Sequence, residues 1–432
     1  MSAAPQAYRA SILHFLSDPG SSNDPRATQY FEDGLLVVDG GRVVIAGSAQ
    51  ALLPTLAAGV TVTDLRPRLI IPGFVDTHIH YPQTDVIASY GTQLLDWLER
   101  YTFPAERRFG DAEHARAVCE FFLDELLRNG TTTALVFGTV HRRSVDVFFE
   151  AAEARGLRMI AGKVLMDRNC PSDLRDTPEE GMRESAELIE RWHGVGRLGY
   201  AITPRFAITS SDEQLRLAGE LARAYPTVHV HTHVAENREE VAWARELFPW
   251  ARSYLGVYER YGLLRERSVF AHCIHLDSED RKRMGASGAA AAFCPSSNLF
   301  LGSGLFDVEA MDRAKVPIGM ATDVGGGTSF SMLRTLADAY KVAQMAGQSL
   351  SPMRAFYLAT LGGARALGLQ DVIGNFAAGK EADFVVFDFE ATPLLKRRIL
   401  AAATLQEKLF VAMTMGDDRC VDRVCVNGRL LP

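Results

Sequence analysis

Residues 72–83 read PGFVDTHIHYPQ: the apolar run LIIPGFV ends in two histidines one residue apart, His78 and His80, with the amide of Gln83 three positions on. Residues i and i+2 of a strand share a face, so both imidazoles can point to one side. Histidines at a strand end often only meet solvent, and the pair alone does not decide between a metal site and an exposed edge. What ends the other apolar runs decides it.

Seven more such runs follow, at 131–140 (TTTALVFGTV), 158–166 (RMIAGKVLM), 199–209 (GYAITPRFAIT), 227–234 (TVHVHTHV), 268–274 (SVFAHCI), 289–294 (AAAAFC) and 316–323 (VPIGMATD). Segments of helical period lie between most of them. In DAEHARAVCEFFLDELLRNG (111–130), Ala115, Val118, Phe122 and Leu126 keep helical spacing and Gly130 closes the helix. In SDEQLRLAGELARAYP, Ser211 is the expected N-cap and Pro226 stands beyond the end. Eight strands, counting the first run at 69–77, alternating with helices are the count of a (β/α)8 TIM barrel, an α/β fold.

The two ends of the chain differ from this middle. GLLVVDGGRVVIAG reads as a hairpin broken at Gly40-Gly41, and GKEADFVVFDFE and DRCVDRVCVNGRLL are short strands bounded by turn residues. The expectation is one small β-domain built from both ends: residues 1–68 and 376–432 flank a barrel over 69–375.

Composition narrows the function. The 432 residues are 47% hydrophobic and 23% charged, with a formal charge of −7 and no basic cluster longer than Lys396-Arg397-Arg398, so no nucleic-acid partner is expected. No apolar run reaches the roughly 20 residues that span a bilayer, and the opening residues lack a signal-peptide pattern, so a cytoplasmic protein without a membrane partner is expected. The six cysteines form no CxxC pair, and none is expected to converge on a metal.

Catalytic groups of a barrel lie at the C-terminal strand ends. There the sequence puts His78 and His80 (first strand), His229, His231 and His233 with Glu236 (fifth), His272 (sixth) and Asp323 (eighth). Five of the eleven histidines thus fall at two strand ends. Imidazole and carboxylate bind Zn²⁺ or Fe²⁺ well, and such an ion lowers the pKa of water from about 15.7 to about 7. Residues 229, 231 and 233 are co-facial, so parity does not choose among them; His233, nearest the mouth, is preferred, with His229 and His231 packed or hydrogen-bonded beneath. Glu236 is placed to move protons, and it also stands where a helix begins.

PGFVDTHIH, HTHVAE, His272 and Asp323 together resemble the amidohydrolase superfamily across nearly the whole chain. The resemblance implies a barrel beside a composite β-sandwich, a metal held by His78, His80, His233 and Asp323, and His272 orienting the metal-bound water or the tetrahedral intermediate. Where binuclear members carry a bridging lysine, this chain has Arg205, so one metal per chain is expected; Lys163 is a poor substitute. Zinc suits the ligands, and iron fits them equally. HYPQ, GTQLLDWLERYTFPAERRF, ITPRF and HTHVAEN are similar, more narrowly, to the guanine-deaminating members of that superfamily. By that resemblance guanine is hydrolysed to xanthine and ammonia, and the chain forms a homodimer. Gln83, Arg205 and Phe206 contact the base, together with His80, His233, Glu236 and Asp323, and the catalytic set is Glu236, His272 and Asp323. Each base contact has a plainer alternative: Gln83 as a loop cap, Arg205 in an ion pair, Phe206 in the core. Trp97 is read as core. Another amino-heterocycle as substrate, or a non-catalytic scaffold, are the rival readings.

Overall fold

The computed structural model describes residues 5–91 and 93–431. Four strands open the chain, β1 (Gln6–Phe15), β2 (Thr28–Asp39), β3 (Arg42–Ser48) and β4 (Thr61–Pro72). β2 and β3 form the expected hairpin, turning at Gly40 and Gly41, whose φ of +54° and +79° suit residues without a Cβ.

Nine parallel strands follow: β5 (Phe74–His80), β6 (Thr131–Phe137), β7 (Arg158–Gly162), β8 (Val164–Leu165), β9 (Gly199–Pro204), β10 (His229–Val234), β11 (Ser268–His272), β12 (Ala290–Phe293) and β13 (Ile318–Met320). β8 continues the third barrel position beside β9, so eight positions run in chain order. Backbone bonds close the ring: the Asp323 N–H donates to the His78 carbonyl at 3.0 Å, and His80 N–H to that of Val324 at 2.9 Å. The fold is the (β/α)8 barrel expected from the alternation of runs and helices. Among the described residues no helix is long and apolar enough to cross a membrane.

The helices form where their caps placed them. Asp111 caps Ala112–Arg128 by accepting from Glu113 N–H, and Ser211 caps Asp212–Ala224 by accepting from Gln214 N–H.

β14 (Phe384–Phe387), β15 (Val421–Val426) and β16 (Arg429–Leu430) return to the first strands, and the two chain ends share one sheet of order β16-β15-β14-β4-β1-β2-β3. Its strands alternate by residue. Ile70, Phe384 and Val386 pack with Tyr8, Ile12 and Leu36 on one face, while Leu69, Ile71, Val385 and Phe387 join the barrel's core on the other. Arg197, just ahead of β9, pairs with Glu381 and Asp383, and Arg158 at the start of β7 bonds Glu381 at 2.8 Å, tying sheet to barrel through two buried carboxylates.

The run LIIPGFVDT, read from sequence as one strand, is two. Leu69–Pro72 pairs antiparallel with β14, and the barrel strand starts at Phe74. The crossing falls at Gly73, where a Cβ would overlap the Thr132 side chain. Apolar periodicity is blind to this break because both halves are buried.

Candidate active site

β5 delivers His78 and His80 from consecutive inward positions, and β10 delivers His233 from the facing wall. Three imidazole Nε2 atoms meet there: His80 lies 3.2 Å from His78 and 3.2 Å from His233. Asp323 Oδ1 adds a fourth donor, 3.2 Å from His78 Nε2 and 3.4 Å from His80 Nε2. Two ligands each about 2.1 Å from a tetrahedral ion stand about 3.4 Å apart, so these spacings fit a metal between them. Burial pulls His80 and His233 well below the usual imidazole range, keeping both neutral as ligands must be. The His233 Nδ1–H donates to the Arg205 carbonyl at 2.7 Å, which leaves Nε2 as the free lone pair.

His231 sits one layer below, its Nε2 2.7 Å from His78 Nδ1, and His229 Nε2 donates to the Leu367 carbonyl deeper in the barrel at 2.8 Å. Those are the packed and supporting places expected of them. Asp76, fully buried, accepts from the backbone N–H groups of His78 (3.3 Å) and Thr322 (3.1 Å), locking the first strand to the eighth. Its carboxyl is pushed up to about 7 by that burial.

Cys294 is a correction. No cysteine was expected near the metal, yet its Sγ and the donor atoms of His78, His272 and Asp323 all lie within 4.8 Å of one another. It directly follows β12, a strand whose run carries no histidine to draw attention. Burial drives its thiol well above the ordinary range, and the S–H donates to the Ala292 carbonyl at 3.4 Å.

Glu236 and His272 lie beside the donors, His272 Nε2 being 3.7 Å from Asp323 Oδ2. Glu236 Oε2 is 3.2 Å from His272 Nε2, and Ser303 Oγ donates to Glu236 Oε1 at 3.1 Å. Burial pushes the Glu236 carboxyl up to about 7, the value at which a group both takes and gives a proton near neutrality. The capping box of helix Arg238–Leu247 is made by Asn237 and Glu240, whose carboxylate accepts from the backbone N–H groups of Glu236 (2.8 Å) and Asn237 (3.0 Å), so Glu236 stands just ahead of the helix without capping it. His272 Nδ1 donates to Asn298 Oδ1 at 2.9 Å, and although burial opposes its charge, Glu236 and Asp323 raise it above the ordinary value. His272 (φ +70°) and Asp323 (φ +52°) both hold left-handed backbone, strain of about 1–3 kcal/mol each of the kind kept at functional sites.

A cavity opens over these groups, and His80, His233, Glu236, His272 and Asp323 form part of its wall. Gln83, Arg205 and Phe206 line it, as does Trp97, which the sequence reading left in the core. Trp97 does both: it is buried, donates from Nε1 to the Ser89 carbonyl at 3.2 Å, and presents a face to the cavity with Leu94 and Leu98. Arg205 pairs with buried Glu106 through Nη1 at 2.7 and 2.9 Å, and Gln83 Nε2 donates to Glu106 at 3.1 Å. The ion pair offered as an alternative for Arg205 thus exists beside its place in the cavity wall. Glu106 itself was not singled out, although it stands in the quoted TFPAERRF; one acid among several charges carries no mark of burial. Lys163, between β7 and β8, is buried against Asp176 and Glu184 and does not line the cavity.

The profile of the amidohydrolase family matches residues 69–431. A guanine deaminase of Escherichia coli (strain K12) is 54% identical over 405 residues, 94% of this chain and 92% of its own. A solved E. coli guanine deaminase superposes with a TM-score of 0.96 at 52% identity, covering 99% of each chain. A C. acetobutylicum guanine deaminase solved with guanine in its active site superposes with a TM-score of 0.89 at 27% identity, over 99% of this chain and 100% of that one.

Proposed function

Because the chain belongs to the amidohydrolase family, we propose that it hydrolyses guanine to xanthine and ammonia, as its relatives' names indicate. What supports the reading most is that one cavity is lined by His80, His233 and Asp323 on one side and by Gln83, Arg205 and Phe206 on another. The first group belongs to the donor set that suits a divalent metal. The second supplies an amide, a guanidinium and an aromatic ring, the groups a planar purine with polar edges asks for.

His78, His80, His233 and Asp323 hold the metal in this reading. Zinc suits three imidazoles and a carboxylate, one ion per chain, and Fe²⁺ fits the same donors. When bound, the ion brings water's pKa near neutrality. Glu236 accepts the proton of the water that attacks C2 of guanine and returns it to ring N3. His272, fixed through Asn298, orients that water from Nε2. Asp323 assists the later transfer that lets the amino group depart as ammonia. Gln83 and Arg205 hold the base by its edges and Phe206 packs on its face. A homodimer and a cytoplasmic setting are what the resemblance to guanine deaminases adds.

The test is guanine turnover by zinc-loaded protein, followed by ammonia release with metal content measured on the same sample. Ammonia release at about one metal per chain supports the reading. No release with metal bound refutes guanine as substrate and moves the reaction to another amino-heterocycle.

A further inference from the structure

The two side chains proposed to read the base share one buried carboxylate. Glu106, on the short helix Phe103–Arg107, is 1% exposed. It takes both Nη1 contacts of Arg205 and the Gln83 Nε2 contact, while the Phe103 ring lies 5.4 Å from the Arg205 guanidinium carbon. Gln83 is held at its other end too, since its Oε1 accepts from Gly325 N–H at 3.3 Å. Only one orientation of the amide satisfies both neighbours: a flip would set oxygen against carboxylate and NH2 against N–H. Glu106 therefore fixes which way Gln83 points.

The same carboxylate decides which edge of Arg205 is spent. Nη1 is used on Glu106, and among the described residues Nε and Nη2 make no hydrogen bond, although Arg205 is only 2% exposed and lines the cavity. A fork of N–H donors is left for a ligand. It matches two adjacent acceptors, which a 6-oxo purine presents as O6 and N7, and it opposes the amino donor that a 6-amino purine puts at the same place. The pairing also neutralises the guanidinium, so the wall suits a neutral base rather than an anion.

We propose that Glu106 is the positioning residue that sets the donor–acceptor polarity of this wall and thereby the selectivity for a 6-oxo over a 6-amino purine. The proposal rests on the guanine reading above.

It is tested by comparing guanine with 2,6-diaminopurine, which carries the same 2-amino group, in the zinc-loaded wild type and in Glu106→Gln. The expected result is a fall of about 10- to 100-fold in kcat/KM for guanine, mostly in KM, with a smaller change for diaminopurine, so that the ratio between them collapses. Because Glu106 acts through Arg205 and Gln83 together, the double variant Glu106→Gln/Arg205→Met should lose less on guanine than the product of the two single losses. Glu106→Asp keeps the charge with a shorter reach, serves if the Gln variant fails to fold, and should shift the ratio the same way to a smaller extent. Equal losses on both substrates, losses seen in kcat alone, or additive losses in the double variant would overturn the proposal. Absence of guanine turnover in the metal-loaded wild type would instead remove the functional reading beneath it.

Discussion

Replacing Glu236 by glutamine separates chemistry from folding. The amide keeps the size of the carboxyl, and its oxygen can still accept from Ser303, which lies 3.1 Å from Oε1. What it loses is the ability to take and return a proton. Groups in that role are worth about 10²–10⁴-fold, or about 3–5 kcal/mol of barrier at 1.36 kcal/mol per decade. Stability should move the other way in metal-free protein. The folded chain holds the Glu236 proton up to about 7 against 4.5 for the free side chain, so the folded state binds more protons between those values. Stability then falls as pH rises through that window, by about 3 kcal/mol at most once pH passes 7. Glutamine never ionises, so the variant should resist urea better than wild type at pH 8, with the difference gone near pH 4. The assays are ammonia release with metal analysis for the zinc-loaded enzyme and urea midpoints for the apo form at the two pH values. Turnover within tenfold of wild type would refute the catalytic assignment. A variant less stable at pH 8 would show the carboxylate serving the fold instead.

Other changes probe the remaining links. His233→Ala removes one of the four converging donors, so metal content should fall well below one per chain while the far-ultraviolet dichroism stays unchanged. Chelation of the wild type should abolish turnover, and added zinc should restore it. Arg197→Met leaves Asp383 and Glu381 with one fewer cation at the sheet–barrel boundary; a loss of about 3–5 kcal/mol is expected from urea unfolding, with little change in KM. Lys163→Met should leave turnover and metal stoichiometry unchanged and lower the melting temperature, because its ammonium serves Asp176 and Glu184 away from the cavity.

Several things were legible from residues alone. The alternation of apolar runs with capped helices gave eight strands, and a strand's period of two put His78 and His80 on one face before any coordinates. The Ser211 cap and the Gly40-Gly41 hairpin act locally, through bonds two or three residues away, so sequence suffices to find them. The strand-end rule then collected the His, Glu and Asp side chains that line the mouth. Resemblance supplied Gln83, Arg205 and Phe206, which periodicity does not distinguish from core or surface.

What only the tertiary structure decided depends on contacts between distant segments. The crossing at position 73 is reserved for glycine by the Thr132 side chain, 59 positions on. Cys294 is brought near His78 and Asp323 only when the barrel closes. His233 is set apart from His231 by what its Nε2 meets: His80 Nε2 among the donors for His233, the far nitrogen of His78, Nδ1, for His231. Glu106 looks in the sequence like any helical surface acid; burial against Arg205, 99 positions away, makes it the hub of the base-reading wall. Sequence sets what each segment does within a few residues, because caps, turns and strand parity are short-range. Burial, ion pairing and the pKa of a carboxyl are set by whatever the fold packs against it, and that information is spread over the whole chain.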